Sequence, residues 1–168
     1  GGAISTGLAR KSVEIFKEAV PSLRKVAIFS NLRHPVGKVL HAAAEDAANQ
    51  LGLAVATCDV ADDAGLATAF AQLSRDRPDG IVVGTTLSDR MPQVIAFAAR
   101  ERLPAIYPFA PAVRMGGLMA YSPNWLPQSK RNAQIVDRIL KGAQPRDIPV
   151  EQPARYSLGI NLRAARAM

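Results

Sequence analysis

The chain has few of the residues that most often reveal chemistry. Its 168 residues include one cysteine, two histidines and only 5% aromatic residues. A single cysteine, Cys58, cannot form an internal disulfide and has no partner for a CxxC metal site, so we expect a buried, unreactive thiol. The scarcity of aromatic residues argues against the stacking platforms of proteins that bind single-stranded nucleic acid. No apolar run approaches the length needed to span a membrane.

Motifs for cofactors, metals and catalysis are also missing. The sequence has no GxxxxGK[ST] phosphate loop, no GxGxxG after a predicted strand and no GxSxG elbow. His34, His41 and Glu45 could suggest a metal, but Pro35 places His34 at or before a helix start and a third well-spaced ligand is lacking. We expect His41 on a solvated helix face and His34 either as a helix cap or in a cleft. No metal, cofactor or enzymatic activity is predicted.

The net charge is +7, from 21 lysines and arginines against 14 aspartates and glutamates. Such an excess can indicate a nucleic-acid partner. Here the basic residues are dispersed along the chain, with short groups such as Lys130 with Arg131 and Arg163 with Arg166. Dispersed charge favours a solvated surface, so we expect no nucleic-acid partner.

Short apolar runs alternate with helical stripes along most of the chain. The runs predict strands at residues 25–29, 53–60, 80–84 and 104–107, and each is followed by a helical pattern or a short loop. Either Asp62 or Asp63 is placed to cap the third helix. Alternating strands and helices with short loops predict an α/β fold, with a parallel, Rossmann-like sheet flanked by helices on both faces.

The C-terminal third carries four segments that resemble one family. They are Gly-Gly-Leu-Met-Ala-Tyr at 116–121, Ile-Leu-Lys-Gly-Ala at 139–143, Ile-Pro-Val-Glu-Gln-Pro at 148–153 and Ile-Asn-Leu-Arg at 160–163. In this order they resemble the solute-binding proteins of bacterial ABC transporters, in the branch that includes tryptophan- and tyrosine-type binding proteins. The resemblance implies a type I periplasmic-binding-protein fold, in which two lobes flank a cleft. It covers only the later part of the usual family chain.

The same resemblance implies a division of the chain between two lobes. Residues 1–7 would form an inter-lobe crossover and residues 8–116 most of the second lobe. Residues 117–142 would be the return strand and helix of the first lobe, and residues 143–168 a crossover with the final strand and helix of the second. Residues 1–3 lack a signal-peptide pattern. The resemblance therefore implies that a leader and most of the first lobe lie outside this sequence.

Candidate ligand contacts follow the predicted strands, because open parallel sheets bind ligands beyond the carboxyl ends of their strands. The first loop, at residues 30–37, leads into a helix whose free backbone amides could hold an anion or could simply be capped. The second loop, at residues 84–89, follows the strand at 80–84. Thr86 with Asp89 favours capping, which leaves Thr85 freer to face a ligand. Tyr107 could pack on a ligand ring or fill the core, and Trp125 could cover the cleft. The predicted ligand-binding residues are Asn31, His34, Val36, Gly37, Thr85, Thr86, Tyr107 and Tyr121.

The resemblance implies a periplasmic protein, secreted or lipid-anchored, that binds a small solute and delivers it to the permease of an ABC importer. The solute would be an amino acid or another small carboxylate-like molecule. The acidic residues that amino-acid-binding members carry in the first two loops are absent, and Arg33 beside His34 would suit an anion better. The alternatives are a ligand-sensing domain of a signalling or transcriptional regulator and a small α/β enzyme, because one fold hosts all three.

A further expectation concerns the helix near residue 136. Ala133, Val136, Ile139 and Leu140 form an apolar face that would normally cover the sheet of the first lobe. Without that sheet, exposed apolar surface drives association, so we expect the isolated chain to self-associate and to bind its ligand weakly.

Overall fold

A six-stranded sheet organises the part of the chain that the structure describes. The structure is a computed structural model that describes residues 2–144 and 156–168, with side chains for residues 6–124, 133–144 and 156–168. The strands are β1 (Lys25–Ser30), β2 (Ala54–Asp59), β3 (Gly80–Val83), β4 (Ala105–Tyr107), β5 (Met119–Pro123) and β6 (Tyr156–Ile160).

Helices connect these strands. They are α1 (Gly2–Ala19), α2 (Pro35–Gln50), α3 (Asp63–Arg75), α4 (Met91–Arg100), α5 (Pro111–Arg114), α6 (Trp125–Leu140) and α7 (Leu162–Ala167), with one 3-10 turn at Thr85–Leu87. Asp62 caps α3, because its Oδ1 accepts the Gly65 N–H at 2.8 Å. This confirms one of the two predicted caps. None of the described helices is both long enough and apolar enough to cross a membrane.

The strand order is β2-β1-β3-β4-β5-β6. The first five strands run parallel, with Val26 opposite Val55 of β2 and Gly80 of β3. The predicted α/β class is therefore confirmed, although the edge strand β6 pairs antiparallel with β5. The chain leaves β1 toward one side of the sheet and continues from β3 toward the other. The gap between β1 and β3 is thus a topological switch point, where open α/β sheets bind ligands.

The core consists of one apolar layer on each face of the sheet. Alternate residues of β1 serve the two layers, since side chains along a strand point to opposite faces. Val26 and Ile28 pack with α1 and α2, whereas Ala27 and Phe29 pack with α3 and α4. Cys58 lies in the second layer, and burial raises the pKa of its thiol to about 12. That agrees with the expectation of an unreactive thiol.

Two segments differ from the expected division into lobes. The strand in residues 117–142, expected in the first lobe, is β5 and lies between β4 and β6 of this sheet. Residues 2–7, expected as a crossover, form the first turns of α1. The assignment of α6 to a first lobe stays a prediction. The motif at residues 148–153 and the side chains of Trp125, Lys130 and Arg131 lie outside the described part of the chain.

Candidate functional site

Two of the predicted ligand-binding loops meet at the switch point. Asn31 follows β1 directly, and Thr86 lies in the 3-10 turn that follows β3. The Asn31 N–H donates to Thr86 Oγ1 at 3.4 Å, so the two loops are in contact. Asn31, Thr85 and Thr86 are all half-buried, which leaves part of each side chain open to solvent. The structure therefore brings these three residues to one edge of the sheet.

The first loop is held by its own side chains. Asn31 Oδ1 accepts the N–H groups of Arg33 at 3.0 Å and His34 at 3.2 Å, which closes a tight turn after β1. His34 then caps α2, since its Nδ1 accepts the Val36 N–H at 3.2 Å. Of the two roles left open for His34, the structure shows the cap. The Val36 side chain is exposed beside it.

Gly37 lets α2 approach this turn more closely than any other residue would allow. A Cβ built on Gly37 would lie 2.0 Å from the carbonyl oxygen of Asn31 and 3.4 Å from Thr86 Oγ1. The contact with the backbone oxygen cannot be relieved by rotating a side chain. Gly37 therefore contributes to the site through its missing side chain, by allowing the helix to rest against both loops.

Thr86 does not have the capping role that its spacing from Asp89 favours. Helix α4 begins after Arg90, and no side chain caps it. The Thr86 hydroxyl instead accepts the Asn31 N–H. The 3-10 turn at Thr85–Leu87 and the turn after it separate Thr86 from the helix start. The hydroxyl thereby becomes part of the contact between the loops that follow β1 and β3.

A third loop, after β2, joins the same edge and was missed from the sequence as a site element. Asp59 Oδ1 accepts the Leu32 N–H at 2.9 Å, and Arg33 forms an ion pair with Asp62 at 3.2 Å. The pKa of Asp62 is lowered, chiefly by the Gly65 N–H that it accepts and further by the charges of Arg33 and Arg90. The available signal was the position of Asp59 at the end of a strand next to β1.

Arg90 links the third loop to the second. Its Nε lies 3.1 Å from Asp63 Oδ1, at the first turn of α3, and its Nη1 lies 2.6 Å from Asp89 Oδ2. The Arg90 side chain is largely buried, so it spans the gap between α3 and α4 at the start of each helix. The edge of the sheet therefore carries paired charges of both signs.

Two other predicted contacts lie elsewhere. The ring of Tyr107 is 1% exposed and packs in the core layer under α4, so the core role fits and the expectation of a cleft contact does not. Burial raises the pKa of its hydroxyl. Tyr121 lies in β5 and stacks on Tyr156 with ring centroids 5.6 Å apart. Tyr121 and Tyr156, with Leu8 of α1, line a small cavity of about 200 Å³.

The expected position of His41 is wrong. The side chain is buried, 7% exposed, and lies between α2 and the sheet rather than on a solvated face. Its Nδ1 is 3.1 Å from Ser30 Oγ and its Nε2 is 3.2 Å from Thr57 Oγ1. Small neighbours on α2, Ala43 and Ala44, are buried with it. The polar ring thus faces inward because two strand hydroxyls complement it.

A cluster of metal ligands or a large cavity elsewhere in the described part of the chain would compete with this edge as the candidate site. No group of three or more potential metal-ligating side chains occurs among the described residues. A pocket of about 470 Å³ lies between α4 and α7, near the starts of β4 and β5. Tyr107 is the one predicted site residue that lines it. We place the candidate site at the switch point, because the loops after β1, β2 and β3 converge there and none of them lines the pocket between α4 and α7.

The described strands and helices define an α/β protein with a mostly parallel six-stranded sheet flanked by helices. The chain matches the family of ABC transporter substrate binding proteins over residues 2–168, and it belongs to this family. A sequence search of curated proteins gave no match.

Solved structures share the fold at low sequence identity. An ABC domain from Streptococcus pneumoniae in complex with L-Trp superposes with a TM-score of 0.78 and 22% identity, covering 94% of this chain and 55% of that one. A conserved domain protein from Vibrio cholerae gives 0.80 and 19%, covering 94% and 54%. A LacI family transcriptional regulator from Bifidobacterium animalis gives 0.62 and 17%, covering 94% and 59%. The chain thus spans little more than half the length of these structures.

Proposed function

We propose that this chain forms one solute-binding lobe of the substrate-binding component of an ABC importer. The observation that carries the proposal is the meeting of the loops after β1 and β3 at the switch point, where Asn31 and Thr86 are in contact. The family match over residues 2–168 supports the transport role. The protein would act by binding rather than by catalysis, in the periplasm, and would deliver its solute to a membrane permease.

The cleft would lie between this edge and a first lobe. Helix α6 supports the arrangement, because Val136, Ile139 and Leu140 are exposed, with Leu140 at 82% and Val136 at 55%. A helix with such a face needs a partner surface. In the proposed protein, α6 covers the sheet of the first lobe. The irregular backbone between β5 and α6 would be one of the crossovers about which the lobes close.

The proposed solute is a small molecule with a carboxylate, such as an amino acid. The half-buried Asn31, Thr85 and Thr86 offer polar groups for hydrogen bonds at the edge. Arg33 is paired with Asp62, so the first loop is less basic than its sequence suggests. A site with charges of both signs suits a zwitterion as well as an anion. The L-Trp complex of the pneumococcal structure is consistent with an amino acid.

The experiment is a titration of the 15N-labelled chain with L-tryptophan, other amino acids and short carboxylates, followed by NMR. We expect saturable shifts of the Asn31, Thr85 and Thr86 amides. Thr86→Val should raise the dissociation constant about tenfold, since it removes one hydrogen-bonding hydroxyl and keeps the shape of the side chain. Thr68→Val is the matched control, because its hydroxyl bonds only within α3 to the Ala64 carbonyl. Saturable shifts confined to the pocket between α4 and α7 would contradict the proposed site.

A ligand-sensing domain of a regulator is the alternative function. It rests on the likeness to a LacI family regulator at 17% identity, which shows the fold alone. The match to the transport family covers nearly the whole chain, so we favour transport. The sequence that precedes this chain in its gene decides between them: a signal peptide or lipoprotein cysteine supports transport, and a DNA-binding helix-turn-helix supports regulation.

A further inference from the structure

A buried polar bridge lies directly beneath the candidate site. His41 stands one and a half turns into α2 and is 93% buried, with Ser30 of β1 on one ring nitrogen and Thr57 of β2 on the other. The surrounding layer is apolar: Ile28, Ala44 and Ala47 are all buried in it. β1 and β2 are already paired along their whole length, and the polar ring adds a side-chain link between Ser30 and Thr57 across the pair.

The bridge reaches both ligand-facing loops through Ser30. Ser30 is the last residue of β1, and the next residue, Asn31, begins the first loop. On its other side Ser30 abuts the start of the second loop, where a Cβ built on Gly84 would lie 3.3 Å from Ser30 Oγ. Ser30 is thus joined through one peptide bond to Asn31, whose N–H donates to Thr86 Oγ1.

We propose that His41 is a positioning residue for the candidate solute site: by bridging Ser30 and Thr57 it holds the end of β1, and with it Asn31, in the orientation that meets Thr86. The proposal deepens the proposed function and rests on it. His41 touches no solute in this role. It acts through Ser30 and the backbone that leads into the first loop.

The charge state of the ring matters for this role. A neutral imidazole donates from one nitrogen and accepts at the other, and each hydroxyl can rotate to match. Burial lowers the pKa of His41 from its usual 6.5, while the carboxylates of Glu45 and Asp59 act in the opposite direction. Glu45 Oε2, on α2, lies 3.9 Å from His41 Nε2, and Asp59 is two residues beyond Thr57 on β2. Arg10 of α1 forms an ion pair with Asp46 of α2. The neutral imidazole is thus the predominant form of His41 at pH 7.

The test compares His41→Leu with His41→Gln in the 168-residue chain, read by amide hydrogen exchange and amide shifts at Asn31 and Thr86. Leucine removes both bridging groups, whereas glutamine keeps one donor and one acceptor without titrating. We expect exchange at Asn31 to be about tenfold faster in His41→Leu and to be largely restored in His41→Gln. Ser122→Ala is the matched control, because Ser122 is a buried serine on β5, away from β1 and β2. It should leave both amides unchanged.

A second measurement needs only the wild-type chain and decides the matter if His41→Leu does not fold. The His41 ring and the amides of Ser30, Asn31 and Thr57 are followed by NMR from pH 7.5 to pH 4.5. We expect them to titrate together, below pH 6.5, because protonation changes the pattern of donors at Ser30. A ring that titrates without moving the Asn31 amide would overturn the proposal, as would unchanged Asn31 exchange in a folded His41→Leu.

These measurements are made without solute. The positioning role can therefore fail while solute binding is found, and it can hold while no solute binds. Where L-tryptophan or a short carboxylate binds the wild-type chain, its dissociation constant should rise about tenfold in His41→Leu and less in His41→Gln. If both variants bound the solute as tightly as the wild-type chain while the Asn31 amide signal was shifted, the site would tolerate the displacement of Asn31. That result would overturn the positioning role and leave the proposed function standing.

Discussion

Gly37 shows at the scale of one residue how closely α2 is held against the candidate site. We predict that Gly37→Ala lowers the free energy of unfolding by at least about 2 kcal/mol, because the new methyl group would overlap the Asn31 carbonyl 2.0 Å away. Urea denaturation measures the change. The matched control is Gly7→Ala, a glycine of α1 whose added Cβ meets nothing within 4 Å.

The control should respond in the opposite direction. Alanine favours a helix over glycine by about 0.5–1 kcal/mol, so Gly7→Ala should stabilise the chain by up to that amount. If Gly37→Ala were equally stabilising, the close approach of α2 to the first loop would be wrong. The Asn31 and Thr86 amides should also shift in Gly37→Ala and stay in place in Gly7→Ala.

Single residues also show where sequence reasoning stops. Asp62 was predictable as a cap, because capping depends on a few neighbouring residues. His41 was not, since its partners Ser30 and Thr57 are 11 and 16 positions away and become neighbours only when β1 and β2 pair. Thr86 has a local capping pattern, yet its hydroxyl meets Asn31, 55 positions earlier. Long-range contacts of this kind leave no periodic trace in the sequence.

At the scale of one element, the start of α3 combines a cap with an ion pair. Asp62→Ala should lower the free energy of unfolding by about 1 kcal/mol, because it leaves the Gly65 N–H without its acceptor. Asp62→Asn should retain most of the stability, since asparagine caps as well as aspartate. The exposed pair with Arg33 adds little. Thermal and urea unfolding measure both variants.

The two aspartate variants also separate the cap from the charge. A loss as large in Asp62→Asn as in Asp62→Ala would mean that the ion pair with Arg33, rather than the cap, supports this end of α3. The Arg33 side chain should gain mobility in both variants, since each removes its partner carboxylate at 3.2 Å.

Whole elements were more predictable than their partners. The apolar runs at residues 25–29 and 80–84 became β1 and β3, because the pattern of apolar residues reports burial directly. The pairing of β5 with β4 was not foreseen, since a short apolar strand carries no mark of the sheet that it joins. The antiparallel direction of β6 could not be predicted either, because the five residues of that strand do not encode its direction in the sheet.

At the scale of the whole molecule, the described sheet has a buried apolar layer on each face, whereas α6 exposes large apolar side chains. The two apolar layers are buried between the strands and their flanking helices, whereas Val136, Ile139 and Leu140 of α6 remain exposed. Asp137 of α6 forms an ion pair at 2.9 Å with Lys141, which lies in the turn directly after the helix. An amphipathic helix with an open apolar face is stable in water only when another surface covers that face.

The last prediction concerns the surface that covers α6 in the isolated chain. We expect a second copy to do so, which makes the 168-residue chain self-associate in a concentration-dependent way. Replacing the two most exposed apolar residues of the described part of α6, in Val136→Lys with Leu140→Lys, should shift the chain toward the monomer and leave its unfolding midpoint nearly unchanged. Analytical ultracentrifugation over a hundredfold range of concentration measures the shift. Thr68→Lys, on an exposed face of α3, controls for the added charge. A wild-type chain that stays monomeric, with α6 well protected from hydrogen exchange, would show that the helix packs on its own lobe and that its assignment to a first lobe is wrong.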